Sequence, residues 1–195
     1  MTKIINLLDF IIQIHLEKKT TIWHEFPFDA GKKSTVVTFY QGLYKQVKRR
    51  TKALCYVEPD SYGSGYASFY DAWFYKKTPD FDNKFAADIE SYEGLVVLVH
   101  KHLPYYVFMQ GTKSWKAADP ASRSSYLPSR KLVDNLTNSA VVELASEVEK
   151  ILSSKGLVRL KQKTLDTRLD IQIDIPTELM DGYLSYFDGL FYWED

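Results

Sequence analysis

The chain has 195 residues, 25 basic and 25 acidic side chains, a formal charge of zero, and 45% hydrophobic against 26% charged residues. Such a composition belongs to a folded globular domain with a sizeable core, excludes a disordered chain, and lacks the basic excess of a whole-protein nucleic-acid binder. A single cysteine, Cys55, excludes an intrachain disulfide and a cysteine-based zinc cluster, and fits a reducing cytoplasm.

Residues 3–18 read as an amphipathic helix with Ile4, Leu8, Ile11 and Ile12 on its buried stripe. Asn6, Asp9 and Gln13 interrupt the apolar run, which is too short and too polar for a membrane span or a signal peptide. Residues 20–28 (TTIWHEFPF) read as a strand, and 29–33, around Gly31, as a turn. Residues 34–46 satisfy two templates. Val36, Val37, Phe39 and Tyr40 suit a strand, whereas Tyr40, Leu43, Tyr44 and Val47 have helical spacing. A basic cluster follows over residues 45–52, with Lys45, Lys48, Arg49, Arg50 and Lys52.

A short strand over 53–57 ends before Pro59, and a Gly/Ser turn at 61–65 leads into an aromatic segment over 66–76. The spacing of Phe85, Ala86 and Ile89 predicts a short helix. The apolar run 95–99 predicts a strand covered on both faces, with 105–109 as its neighbour beyond Pro104. Residues 111–130 carry two prolines, many small polar residues and the cations Lys113, Lys116, Arg123 and Arg130, and read as a long loop. The clearest helix is 132–155, with Leu136, Ala140, Leu144, Val148 and Ile151 on one stripe and Gly156 as its stop. A strand is expected at 157–160. Another is expected at 169–175, where Leu169, Ile171, Ile173 and Ile175 alternate with Asp170, Gln172 and Asp174 until Pro176. The fold class expected is a single α+β domain, residues 1–195, with a mainly antiparallel sheet and two principal helices, 3–18 and 132–155.

Two aromatic segments echo each other. Residues 66–75 read YASFYDAWFY and residues 183–192 read YLSYFDGLFY, with five of ten positions identical. The echo is compatible with an internal duplication. Each segment has an aspartate at its centre, a residue disfavoured in strand interiors. If each is a strand, Asp71 shares a face with Trp73 and Tyr75, and Asp188 with Tyr192. That arrangement offers a carboxylate framed by rings to a partner's cation. The competing reading makes both aspartates turn residues, with Asp188-Gly189 as a hairpin signal.

The zero charge is a sum of unlike parts. Residues 1–60 have ten basic and six acidic side chains, and residues 131–195 seven and twelve. From Asp166 onward eight acids face one base, Arg168. An acidic surface with embedded aromatics suits a basic protein partner.

The chain has no phosphate-binding P-loop, no dinucleotide fingerprint, no H-E-x-x-H and no nucleophile elbow, and nothing in it calls for a cofactor. Two alternatives to protein binding remain open at this point. His100 and His102, two apart on a strand, would project on one side and serve a small metal-dependent hydrolase. The cluster from Lys45 to Lys52 would serve a nucleic-acid-binding module.

In general character the chain resembles the immunity proteins of bacterial toxin systems. The resemblance lies in the Asp-centred aromatic segments Tyr70-Asp71-Ala72-Trp73-Phe74 and Phe187-Asp188-Gly189-Leu190-Phe191 and in the acidic C-terminus, and it includes no diagnostic motif. It implies a non-enzymatic, cytoplasmic inhibitor that binds and occludes a toxin, with a basic domain of that toxin as the expected partner. On this reading the partner-binding residues are Asp71, Trp73, Tyr75, Asp170, Asp174, Asp188, Tyr192, Trp193 and Glu194. Overall neutrality departs from the acidic balance common among inhibitors of basic nucleases.

Overall fold

The computed structural model describes every residue except 1–5, 20, 30, 59–60, 64, 84–85, 117–118 and 195. Long, β-rich apolar runs form the centre. Strands β1 (Leu54–Val57), β3 (Phe69–Tyr75), β4 (Ile89–His100), β5 (Tyr105–Lys116) and β6 (Asp119–Ser125) pair in that order, all antiparallel. A short β7 (Val158–Arg159) joins β5 in parallel, and β2 (Tyr66–Ala67) pairs antiparallel with β8 (Trp193–Glu194) in a separate ribbon. The domain is α+β, and the α-helices among the described residues are α1 (Leu7–His15), α2 (Lys33–Thr51), α3 (Ser139–Ser153), α4 (Gln162–Leu165) and α5 (Tyr186–Leu190).

The sheet is covered on both faces, and the period-two alternation of β3 separates them. On one face Tyr70 meets Tyr40 of α2 with ring centroids 5.7 Å apart, and Phe74 meets Tyr44 at 5.9 Å. There α2 buries Val36, Tyr40, Leu43, Tyr44 and Val47, and α3 packs beside it. On the other face Phe69 and its cross-strand partner His100 both meet Phe191, just after α5, and α1 packs on α5. The α1–α5 approach is close enough that a Cβ on Gly189 would stand 2.8 Å from Ile11.

Several expectations change. The undecided segment 34–46 is helical, so α2 is a principal helix together with α3. α1 buries Leu7, Ile11 and His15 in place of Leu8 and Ile12, and Ile4 lies outside the described residues. Residues 21–28 form no strand. Phe85 lies outside the described residues, and Ile89 opens β4 in place of a helix. The long loop at 111–130 is instead the second half of β5 and the edge strand β6. Its serines and charges occur on strands because β6 pairs with β5 at the edge of the sheet. α3 begins at Ser139, since Asn138 accepts from the N–H groups of Ala140 and Val141 and caps it.

The two echo segments have different structures. Residues 69–75 are a central strand and residues 186–190 are a helix, so the echo marks no repeated structural unit. The segments cross each other. Ser68 N–H donates to Tyr192 O, its Oγ donates to Leu190 O (2.7 Å), and Tyr192 N–H donates to that Oγ (3.0 Å).

Candidate functional site

Opposite one another on β4 and β5 stand Gly94 and Gly111. A Cβ on Gly94 would meet the Trp73 indole at 2.3 Å, and one on Gly111 would meet the Tyr126 ring at 2.3 Å. The absence of both side chains lets the two rings lie against the sheet. Trp73 Nε1 donates to Gly111 O (3.0 Å), and Tyr126 is brought over β3.

Asp71 sits there with both carboxyl oxygens occupied. Tyr126 OH donates to Oδ1 at 2.8 Å, and Tyr62 OH donates to Oδ2 at 2.8 Å. Burial pushes its pKa from 3.8 up to about 6, while the two tyrosines and the nearby Lys113 charge pull it down. The Lys113 ammonium lies 4.8 Å over the Tyr56 ring and 4.6 Å over the Tyr126 ring and donates to Ser125 Oγ (2.6 Å). Beside it, a depression of about 260 Å³ is lined by Tyr56, Trp73, Tyr75 and Trp115.

A larger cleft, about 580 Å³, opens between α2 and the β1–β3 side of the sheet. α2 contributes Lys33, Tyr40, Gln41 and Tyr44, the turn after β1 contributes Tyr62 and Gly65, and Tyr70, Asp71 and Lys101 complete the wall. The Lys101 ammonium lies 4.8 Å from the Tyr66 ring centroid and 5.1 Å from that of Tyr70. Burial, and then the positive charge of Lys33, hold its pKa down to about 8.

The expected partner-binding residues divide into two groups. Asp71, Trp73 and Tyr75 do share a face of β3, but that face is inward, and all three are buried. Asp188 is 1% exposed and is the third residue of α5. It accepts from the N–H and the hydroxyl of Ser185 in a capping box. These four residues are therefore withdrawn from any accessible face. Tyr192, Trp193 and Glu194 are half-buried, and Asp170 and Asp174 are exposed.

The acidic tail is also thinner than its sequence. Asp166 pairs with Arg130 at 3.1 Å and Asp181 with Lys131 at 2.6 Å, while Asp195 lies outside the described residues. What stays outward is Asp170, Asp174 and Glu178, on a segment of unusual character. Burial alternates along it, with Leu169, Ile173, Ile175 and Leu179 inward and Ile171 half-buried. Yet residues 170–177 belong to no strand and make no backbone–backbone hydrogen bond among the described residues. The expected strand has the right faces and no neighbour.

The chemistry available elsewhere is limited. His100 is fully buried, and burial holds its pKa well below the ordinary value. Its Nδ1 accepts from the His102 N–H, His102 Nε2 pairs with Tyr66 OH at 3.1 Å, and the ring centroids are 6.0 Å apart. No group of three His, Cys, Asp or Glu suited to a metal ion occurs among the described residues. Burial pushes the Cys55 thiol up to about 12, which leaves it un-ionised at neutral pH. The basic residues Lys45, Lys48, Arg49, Arg50 and Lys52 are exposed on and just after the last turns of α2, where cations meet the negative end of the helix.

Among the described residues no helix is long and apolar enough to cross a membrane. Compared with known proteins, the chain matches no family model, no curated protein and no solved structure.

Sequence reasoning missed Tyr62, Tyr126 and Lys101, and placed Lys113 on a loop where the structure has β5. The two facing glycines were the available signal, but a glycine pair announces a close approach only once the strand register is known.

Proposed function

We propose that the protein is a non-catalytic protein-binding module, an inhibitor of the immunity type, that docks a basic strand of its partner against residues 170–177. The observation that carries this reading is the alternation of those residues without a hydrogen-bonded neighbour. An unladdered edge offers its backbone N–H and C=O groups to an added strand. The outward side chains Asp170, Gln172 and Asp174 would flank that strand, and their charge favours Lys and Arg on it. Asp170 and Asp174 also repel a second copy of the same edge, which suits a site reserved for a foreign chain. Of the residues expected from the sequence, these two keep their role, and Tyr192, Trp193 and Glu194 stand at half-buried positions near the chain's end.

The test is hydrogen exchange on the complex with a partner captured from the native host and then purified. Slowed exchange over 170–177, together with at least tenfold weaker binding in Gln172→Pro, is the expected result. Gln172 is exposed, so the proline removes a backbone donor without opening the core. Protection confined to other surfaces, with Gln172→Pro binding as the wild type does, rules the docking site out. Asp170→Lys with Asp174→Lys should slow association and weaken its salt dependence.

A further inference from the structure

The N-terminus of α2 is charged against its own dipole. Its N-cap, Lys32, makes no side-chain cap, the first turn has no acidic residue, and its first residue is Lys33. Cations at the positive end of a helix are unfavourable. The fold then adds a third cation, since Lys101, leaving the end of β4, enters the same place. Neither Lys33 nor Lys101 forms an ion pair with a carboxylate among the described residues. Glu58 and Asp71 also line the large cleft, but the shift at Lys101 is set by burial and Lys33. A half-buried ammonium beside a like charge, held over two rings and with no carboxylate paired to it among the described residues, is a site suited to an anion.

The space agrees with that reading. Lys33, Lys101, Tyr70 and Gly65 line both the 580 Å³ cleft and a neighbouring depression of about 210 Å³, so the cations stand where the two join. The combined volume lies within the range of ligand sites, about 300–1,000 Å³. Tyr44, on the wall of the larger part, has a buried hydroxyl with no hydrogen-bond partner among the described residues. An orphaned buried hydroxyl is uncommon, and this one is closed off from solvent, so it belongs to the packed floor beneath the cleft. Tyr62 and Tyr70, both half-buried, give the cleft ring faces and edges for a flat group.

We infer that the cleft between α2 and β3 binds a phosphate monoester carried on a flat ring, a nucleoside monophosphate in its simplest form. The phosphate lies between Lys33 and Lys101, and the ring lies against the half-buried Tyr62 and Tyr70. Lysine serves a phosphate as a compact point charge. This site lies on residues other than 170–177 and stands or falls independently of the docking surface.

The experiment is calorimetric titration of the full chain with the nucleoside monophosphates, inorganic phosphate and the unphosphorylated nucleosides. The expected order is monophosphate tightest, inorganic phosphate weaker and nucleoside weakest. Lys101→Met, which keeps the aliphatic stem over Tyr66 and Tyr70, should weaken monophosphate binding at least tenfold. Lys33→Met is the second variant: its site is exposed on the helix surface, so it retains the fold and should weaken binding severalfold. No binding by the wild type at millimolar ligand overturns the inference, as does equal affinity for nucleoside and monophosphate, or wild-type affinity in both variants.

Discussion

Residues 66–75 and 183–192 share half their letters and an S-x-x-D core, yet one became a central strand and the other a capped helix. In the second segment Ser185 and Asp188 satisfy each other locally, and Gly189 permits α5 to lie against Ile11. In the first, Ser68 is taken by the chain's other end, and Asp71 by two tyrosines from distant turns. The residues that differ decide the matter. Ala72-Trp73 extends a ladder between β1 and β4, where the indole reaches Gly111 O, while Gly189-Leu190 has no strand to join. A capping box is an offer that a helix takes up only when no sheet competes for the backbone. The same aspartate therefore acts through long-range contacts at 71 and through its nearest neighbours at 188.

That contrast can be broken by mutation. Replacing both Tyr62 and Tyr126 by Phe strips two hydrogen bonds from a buried carboxylate and should destabilise the fold by about 3–6 kcal/mol at neutral pH, read from urea midpoints. The pH dependence comes next in size. Because the Asp71 pKa rises from 3.8 to about 6 on folding, the folded chain holds this proton more tightly than the unfolded chain. Its stabilising contribution is fully present below pH 3.8 and is lost as pH rises through 6. Wild type measured against Asp71→Asn should lose about 3 kcal/mol across that window, and a flat difference would refute the assignment. The smallest effect belongs to the local site. Ser185→Ala removes the cap of a five-residue helix and one of the donors to Asp188, and should cost about 1–2 kcal/mol, seen as a small shift of the thermal midpoint.

The legible parts of the sequence were those with one strong period. The stripe Leu144, Val148 and Ile151 marked α3, the run 95–99 marked the centre of β4, and the alternation at 169–175 named the correct buried and exposed sides. Elements whose partners are far away were not legible. The Ser-rich stretch of β6 has loop composition, and it is a strand because β5 pairs with it through Lys113 and Ser125. Conversely, Asp170 to Asp174 has strand composition and pairs with no strand among the described residues. At the candidate sites, Asp170 and Asp174 could be read from their alternation. Lys33 and Lys101 could not, because 68 positions of chain separate them and only the docking of α2 on the sheet brings them together.

By itself the sequence determined an α+β class, the absence of a familiar catalytic motif, and which side chains along each periodic stretch turn inward, since burial of apolar area acts locally on any amphipathic segment. Only the tertiary structure decided which of two similar segments is a helix, and that Asp71, Trp73, Tyr75 and Asp188 are interior. It also decided that Lys33 and Lys101 line one cleft. Pairing, desolvation and electrostatic proximity depend on distance in space, and chain order does not encode that distance one residue at a time.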